Sequence, residues 1–360
     1  MRWHIVGIAA SSVALLAGCS TGSKVRPEPV SFNRPDEIVR GEGFMVLADR
    51  RQFAVLALLN ATGYDEEAQG QQMHPVRVKV RELVAAEMAK HPRKAEAWRQ
   101  YIKTRQVAIF QYEDFALSLS TDYPFRRIRP DGEVGYQWAV ERLQGFPRVL
   151  NDFWETVHLD EIWSQVKPEY AAEIRKYNLE KMKRQMDFLW TYLRMPRRDT
   201  LTLVNVPNLL DTHFHAIGAR YENLYYTVES PGSHNYALNI HEYLHSIVNR
   251  LVQANFGGQE AKLSKYYQVG KDAPLCKTYG SPVTFTLESL VRALDHRLGV
   301  RQTDDPNDKK RIEGQVAWET EEGLTLTRPF YNALAEFEQS GKPFDQFLPT
   351  LLEHLPECTR

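Results

Sequence analysis

Ile240-His241-Glu242-Tyr243-Leu244-His245-Ser246-Ile247-Val248-Asn249-Arg250-Leu251 is the stretch on which the reading of this chain turns. Apolar residues at Ile240, Leu244, Ile247, Val248 and Leu251 recur at intervals of three and four, the pattern of a helix that buries one stripe. A helix advances about 100° per residue, so His241 and His245 emerge about 40° apart and one turn along, near enough for both imidazoles to reach one zinc ion. Glu242 then stands beside the metal rather than on it, where a carboxylate can take a proton from a metal-acidified water. With 11 histidines in 360 residues, a chance HExxH arises in roughly a few per cent of such chains, so context has to carry the assignment. The pair sits at the edge of the apolar stripe, where two hydrogen-bonded surface histidines would also fit.

A catalytic zinc ordinarily holds three protein groups and keeps one position for water. Glu288 is the candidate for the third. It lies in residues 281–298, where Val283, Leu287, Leu290, Val291, Leu294 and Leu298 mark a second amphipathic helix. Ser281 can cap it, Pro282 suits its first position and Gly299 can end it. Glu288 falls at the margin of the apolar face and can point across a helix pair at the histidines; a carboxylate there is otherwise solvated or paired, here with Arg292 at i+4. Glu260 and Asp295 are the competing ligands, and His296 is less suited because it needs a different helix orientation. Upstream, residues 201–206 are β-rich, and 212–228 read as one bent strand or as two strands joined near 218–222. That strand pair leads through Pro231-Gly232 toward the histidine helix. His213 and His215 share one strand face, either as exposed strand histidines or as part of a cleft or metal site.

At this point the chain resembles a family. HEYLH followed more than forty residues later by Glu288 in Leu-Glu-Ser-Leu-Val-Arg-Ala is similar to the gluzincin zinc metallopeptidases, with their thermolysin-like ligand set of two His and one Glu. The closer resemblance is to a poorly characterised group of bacterial envelope proteins with HExxH, an asparagine four residues beyond the second histidine (Asn249) and a Glu-x-Leu-Val-Arg-Ala-like element. A weaker likeness runs upstream through residues 53–59, His91-Pro92 and residues 145–153, and so spans most of 44–350. Thermolysin-like enzymes place an acid four residues after the ligand glutamate to orient a histidine. This chain has Arg292 there, so orientation has to come from elsewhere, with Asn249 a candidate. The resemblance implies peptide hydrolysis with one zinc ion on His241, His245 and Glu288 and with Glu242 as general base. For the oxyanion donor the candidates are Tyr279, Tyr331, His213 and His296. The competing classes are a non-catalytic envelope lipoprotein that keeps the zinc for structure or recognition, and an amidase acting on a non-protein amide such as one in the cell wall.

Residues 1–18 resemble a bacterial lipoprotein signal: Arg2, then an apolar run over residues 5–17 too short to span a bilayer, ending in Leu16-Ala17-Gly18-Cys19. The expectation is cleavage before Cys19, lipidation of that cysteine and a stable membrane anchor; an ordinary signal peptide with an incidental cysteine is the alternative. Ser20, rather than an acid, follows Cys19, which favours an outer-membrane anchor facing the periplasm of a Gram-negative host. Residues 19–42 then read as a flexible tether. Cys276 and Cys358 remain, free or bridged to each other in an oxidising compartment. A net charge of -1 gives no case for a nucleic-acid partner, which leaves an envelope peptide or protein substrate and the membrane as the expected partners.

Helical periodicity dominates residues 43–195, with helices expected at 76–90, 95–119, 135–146, 148–158, 159–166 and 169–194, interrupted at Pro147 and Pro168. Residues 44–62 can begin as a strand. The fold class expected is therefore α+β and predominantly α-helical. A helical N-terminal region spans 43–198 and a zincin-like region 199–360, the latter with a small antiparallel sheet, the HExxH helix and the glutamate helix. Residues 301–314 read as a mobile surface loop.

Overall fold

The computed structural model describes residues 37–63, 73–131, 134–135, 137–196, 202–212, 216–221, 223–232, 236–277 and 279–358. Cys19, His213 and His215 lie outside them. The fold is mostly helical with one five-stranded sheet, as an α+β chain should be. No helix among the described residues is long and apolar enough to cross a membrane. The described chain forms two compact units, one drawn from Met1–Leu179 and Thr202–His234, the other from Glu180–Leu201 and Asn235–Arg360.

The first unit holds β1 (Ile38–Gly41), β2 (Phe44–Leu47), α1 (Arg50–Ala61), α2 (Pro75–Lys90), α3 (Pro92–Arg105), α4 (Ile109–Leu117), α5 (Gln137–Arg142), α6 (Phe146–Thr156) and α7 (Leu159–Ile174). It also takes β3 (Thr202–Pro207), β4 (Ala216–Tyr221) and β5 (Leu224–Glu229). Strand order is β1-β2-β3-β5-β4. The sheet is mixed rather than antiparallel: β1–β2 and β4–β5 are antiparallel, whereas β2–β3 and β3–β5 are parallel. Parallel pairing of β2 and β3 follows from connectivity, since α1 to α7 and the helix Leu179–Leu193 intervene between them and bring the chain back in the same direction. One sheet face carries Val204, Val206, Ile217, Ala219, Tyr226 and Val228, packed with Leu117 of α4. The strands at 202–229 thus belong with residue 44 onward, not with the histidine helix as the boundary at 198/199 supposed. β1 also takes up the end of the stretch read as a tether, because Ile38↔Leu47 to Gly41↔Phe44 gives it a ladder.

Two helices depart from expectation for local reasons. The single helix read over 95–119 is two, α3 and α4, divided at Gln106, which adopts a left-handed conformation (φ 52°). The reverse holds at Pro168, which α7 runs straight through. Pro168 lacks the N–H that would bond the Ser164 carbonyl one turn back, and next to that gap the Lys79 ammonium donates to the Gln165 carbonyl at 2.9 Å. Trp163, Val166 and Tyr170 on either side are buried, with Trp163 against Phe53 of α1.

The second unit comprises α8 (Leu179–Leu193) from Glu180 onward, α9 (Tyr236–Asn255), α10 (Glu260–Gly270), α11 (Pro282–Gln302), α12 (Pro306–Glu321), α13 (Thr327–Ser340) and α14 (Phe344–His354). α11 is its centre, packed on α9, α10, α12 and α13, and every residue from Phe285 to Leu294 is buried. Ser281 caps it by accepting from the Thr284 amide, with Pro282 in the first turn, as the sequence implied. Gly299 does not end it. A Cβ there would stand 3.1 Å from Ile312 Cδ1, so the glycine lets α12 approach closely while the helix runs on to Gln302. Residues 306–314 are α12 rather than a mobile loop, because the Asp305 side chain caps it through the Asn307 amide and Pro306 opens it. Lys262 of α10 donates to the carbonyls of Glu353 (2.7 Å) and Leu355 (3.1 Å), which closes the C-terminal end of α14.

Candidate metal centre

His241, Glu242 and His245 stand in the middle of α9, which is enclosed on all sides over residues 239–245 rather than along one stripe. Glu242 is fully buried and the two histidines are 3% exposed. Across from them on α11, Glu288 is also fully buried, not at a solvated margin. His241, His245 and Glu288 each offer one ligand atom, all within 4.8 Å of one another, and the group could hold a metal ion. His241 Nε2 lies 3.8 Å from Glu288 Oε1 and His245 Nε2 lies 3.5 Å from Glu288 Oε2. Tetrahedral zinc with bonds of about 2.0–2.1 Å separates its ligand atoms by about 3.4 Å, which the His245 Nε2 to Glu288 Oε2 spacing of 3.5 Å already matches, while the group as a whole, within 4.8 Å, would draw inward around an ion.

The other ring nitrogens show which atoms are left for an ion. His241 Nδ1 is 2.9 Å from Asp295 Oδ2, and His245 Nδ1 is 3.2 Å from Asn249 Oδ1. A carboxylate and an amide oxygen only accept, so both Nδ1 atoms carry a proton, and in the neutral rings each Nε2 is the atom left with a lone pair for an ion. His241 Nε2, His245 Nε2 and Glu288 Oε2 are buried and make no hydrogen bond among the described residues. With neutral rings three acceptor atoms face one another, which is costly, and a shared proton or a bound cation removes the cost. The charge balance agrees: with neutral imidazoles, Glu288, Asp295 and Glu319 are set against Arg292 in the ion pairs among the described residues, before Glu242 is counted.

Glu288 both pairs with Arg292 and faces the histidines. Arg292 Nε donates to its Oε1 at 2.6 Å, which leaves Oε2 toward His245. Burial works against the Glu288 charge, yet Arg292 and the two histidines hold the carboxyl far below its usual range. Arg292 Nη1 also donates to Glu319 Oε1 at 3.0 Å, and Glu319 Oε2 is 3.0 Å from His296 Nε2. His296 therefore serves Glu319 and is not a ligand. The competing assignment of Asp295 as a ligand gives way to its place on His241. Tyr279 is buried with its hydroxyl pKa raised, by burial first and then by Glu288, and it also feels Arg292. Tyr331 belongs to another network: Arg297 and Arg328 lie 5.0 and 5.7 Å from its ring centroid, and Glu313 also raises its hydroxyl pKa.

Cys276 and Cys358 are free thiols, so the bridge between them is not formed. Cys276 packs inside, near Gly323, with burial pushing its thiol up to about 12, while Cys358 is half-buried beside Tyr266. Sequence reasoning missed Glu319 and the role of Asp295. Ile312, Val316 and Glu319 share a helical face, and Asp295 lies seven residues after Glu288, two turns along the same face, so both signals were present. Comparison of the chain with protein-family models, with curated proteins and with solved structures gave no match.

Proposed function

We propose that this chain is a zinc-dependent metallopeptidase of zincin-like arrangement, in which His241, His245 and Glu288 hold the ion and Glu242 is the general base. One observation carries the reading: three buried ligand atoms without hydrogen bonds, on two helices that pack together, converge within 4.8 Å beside a buried glutamate. Zinc held there would supply a Lewis acid and bring the pKa of a water toward neutrality. Glu242 would take a proton at a carboxylate oxygen and return it to the leaving amine. Tyr279 keeps its proton at neutral pH and would donate its O–H to the developing oxyanion. Asp295 and Asn249 would hold the imidazoles in the tautomer that leaves Nε2 open.

Glu242→Gln tests the base. Retained zinc with hydrolysis of a peptide library reduced by about a hundredfold or more supports it, and full turnover rejects it. Deep burial of the ligands favours a second reading, a structural zinc in a non-catalytic envelope protein. A closed site contributes folding energy, so unfolding on chelation, with no hydrolysis of peptides or cell-wall amides by the loaded protein, would select that reading. The lipid anchor on Cys19 and a periplasm-facing outer-membrane location complete the proposal and rest on Leu16-Ala17-Gly18-Cys19.

A further inference from the structure

We infer that Arg292 is a positioning residue of the metal centre: it occupies one oxygen of Glu288, so that the other oxygen alone serves as ligand. A carboxylate can grip a cation with one oxygen or with both, and the choice changes the coordination number. At Glu288 the two oxygens are already unlike. Oε1 receives the Arg292 Nε–H at 2.6 Å, whereas Oε2 is buried with no hydrogen bond. A cation reaching for Oε1 as well would share that oxygen with a charge-assisted bond, which draws its electron density away, and would approach a like charge. Neither effect is screened by water here, since Glu288 is fully buried and Arg292 is 3% exposed.

Arg292 is itself held from a second helix. Its Nη1 donates to Glu319 Oε1 on α12, Gln315 Nε2 reaches the same oxygen at 3.3 Å, and His296 holds the other oxygen of Glu319. The carboxylate of Glu288 is thus oriented by its own helix through a residue anchored on the next. Charge compensation alone would need a cation of any shape. Orientation needs the planar fork of arginine, which bonds two carboxylates at once through different N–H groups, and lysine cannot reproduce it.

The inference rests on His241, His245 and Glu288 binding metal, not on peptide hydrolysis. Arg292→Lys and Glu319→Gln in the full chain test it, with Zn2+ affinity measured by chelator competition and Co2+ used as the spectroscopic probe. Four-coordinate Co2+ absorbs strongly in the visible, and higher coordination weakens the bands. Arg292→Lys keeps the buried positive charge, so a thermal melt should show a folded protein. The expected result is Zn2+ binding about 10- to 100-fold weaker, with Co2+ bands reduced toward the five-coordinate pattern, and a smaller change in the same direction for Glu319→Gln. A folded Arg292→Lys with wild-type affinity and spectrum overturns the inference, as does an unchanged Glu319→Gln spectrum if Arg292→Lys does not fold. Wild-type protein that binds neither Zn2+ nor Co2+ removes the metal centre and this inference together; wild-type binding with unaltered variants removes only the inference.

Discussion

Asp295 offers the sharpest quantitative test of how the site is organised. Its Oδ2 accepts from His241 Nδ1 at 2.9 Å, while the corresponding acceptor on His245 is a neutral amide, Asn249 Oδ1, at 3.2 Å. Hydrogen bonds to charged groups contribute about 1.5–3 kcal/mol, against about 0.5–1.5 kcal/mol for neutral ones. The Asp295 side chain is 24% exposed, which places its contribution in the lower part of that range, about 1.5–2 kcal/mol after screening. Asp295→Ala should then weaken Zn2+ binding about 10- to 30-fold, whereas the longer bond to Asn249, at the weak end of its range at about 0.5–1 kcal/mol, makes Asn249→Ala cost only about 2- to 5-fold, with Asp295→Asn in between because an amide oxygen can still accept. Competition with a chromophoric chelator measures all three. The pH should be 8, for a reason visible in the site. Burial lowers the His241 pKa, but the hydrogen bond and charge of Asp295, aided by Glu288, raise it above its usual 6.5. Protons therefore compete with metal more strongly in the wild type than in the variant, and acidic conditions would mask part of the loss. An Asp295→Ala affinity within about threefold of wild type at pH 8, or an Asn249→Ala loss as large as that of Asp295→Ala, would refute the division of labour described here.

Two further outcomes are expected. The pKa of Glu319 is lowered to about 2, since Arg292 and His296 outweigh its burial, and that of Glu288 is lowered as well. A depressed carboxyl stabilises the fold above its unfolded pKa and loses that contribution as pH falls, so metal-free protein should lose stability in urea between its ordinary 4.5 and about 2. Glu319→Gln should flatten that decline, and equal pH slopes for the two proteins would contradict the pairing. At the other end of the chain, Cys19→Ala should release the protein from the membrane fraction of a Gram-negative host; unchanged membrane association would remove the lipid anchor from the proposal.

The residues of the candidate metal site were legible because each depends on local spacing. His241 and His245 are one turn apart on any helix, and Ser281-Pro282 followed by Leu287, Leu290, Val291 and Leu294 announces where the second helix begins and which way it faces. Pro168 shows where local rules lose force, since the helix continues through it with Trp163, Val166 and Tyr170 buried on either side and Trp163 packed on Phe53, more than a hundred positions away. The sheet shows it again: β3 pairs with β2 at Phe44↔Leu203, a register joining residues more than 150 apart, and this moves the strands out of the half to which proximity in sequence had assigned them.

The chain alone therefore determined the two helices of the candidate site, the Ser281 cap that opens the second, and the residue types able to bind a cation. Tertiary structure decided which oxygen of Glu288 is left open, that Asp295 and Asn249 hold the imidazoles, and that Arg292 is tied to Glu319. The physical reason is range. Periodicity and capping act over one or two turns, whereas the partner of a buried charge is whichever group packing brings within about 3 Å, and that depends on how separate helices meet.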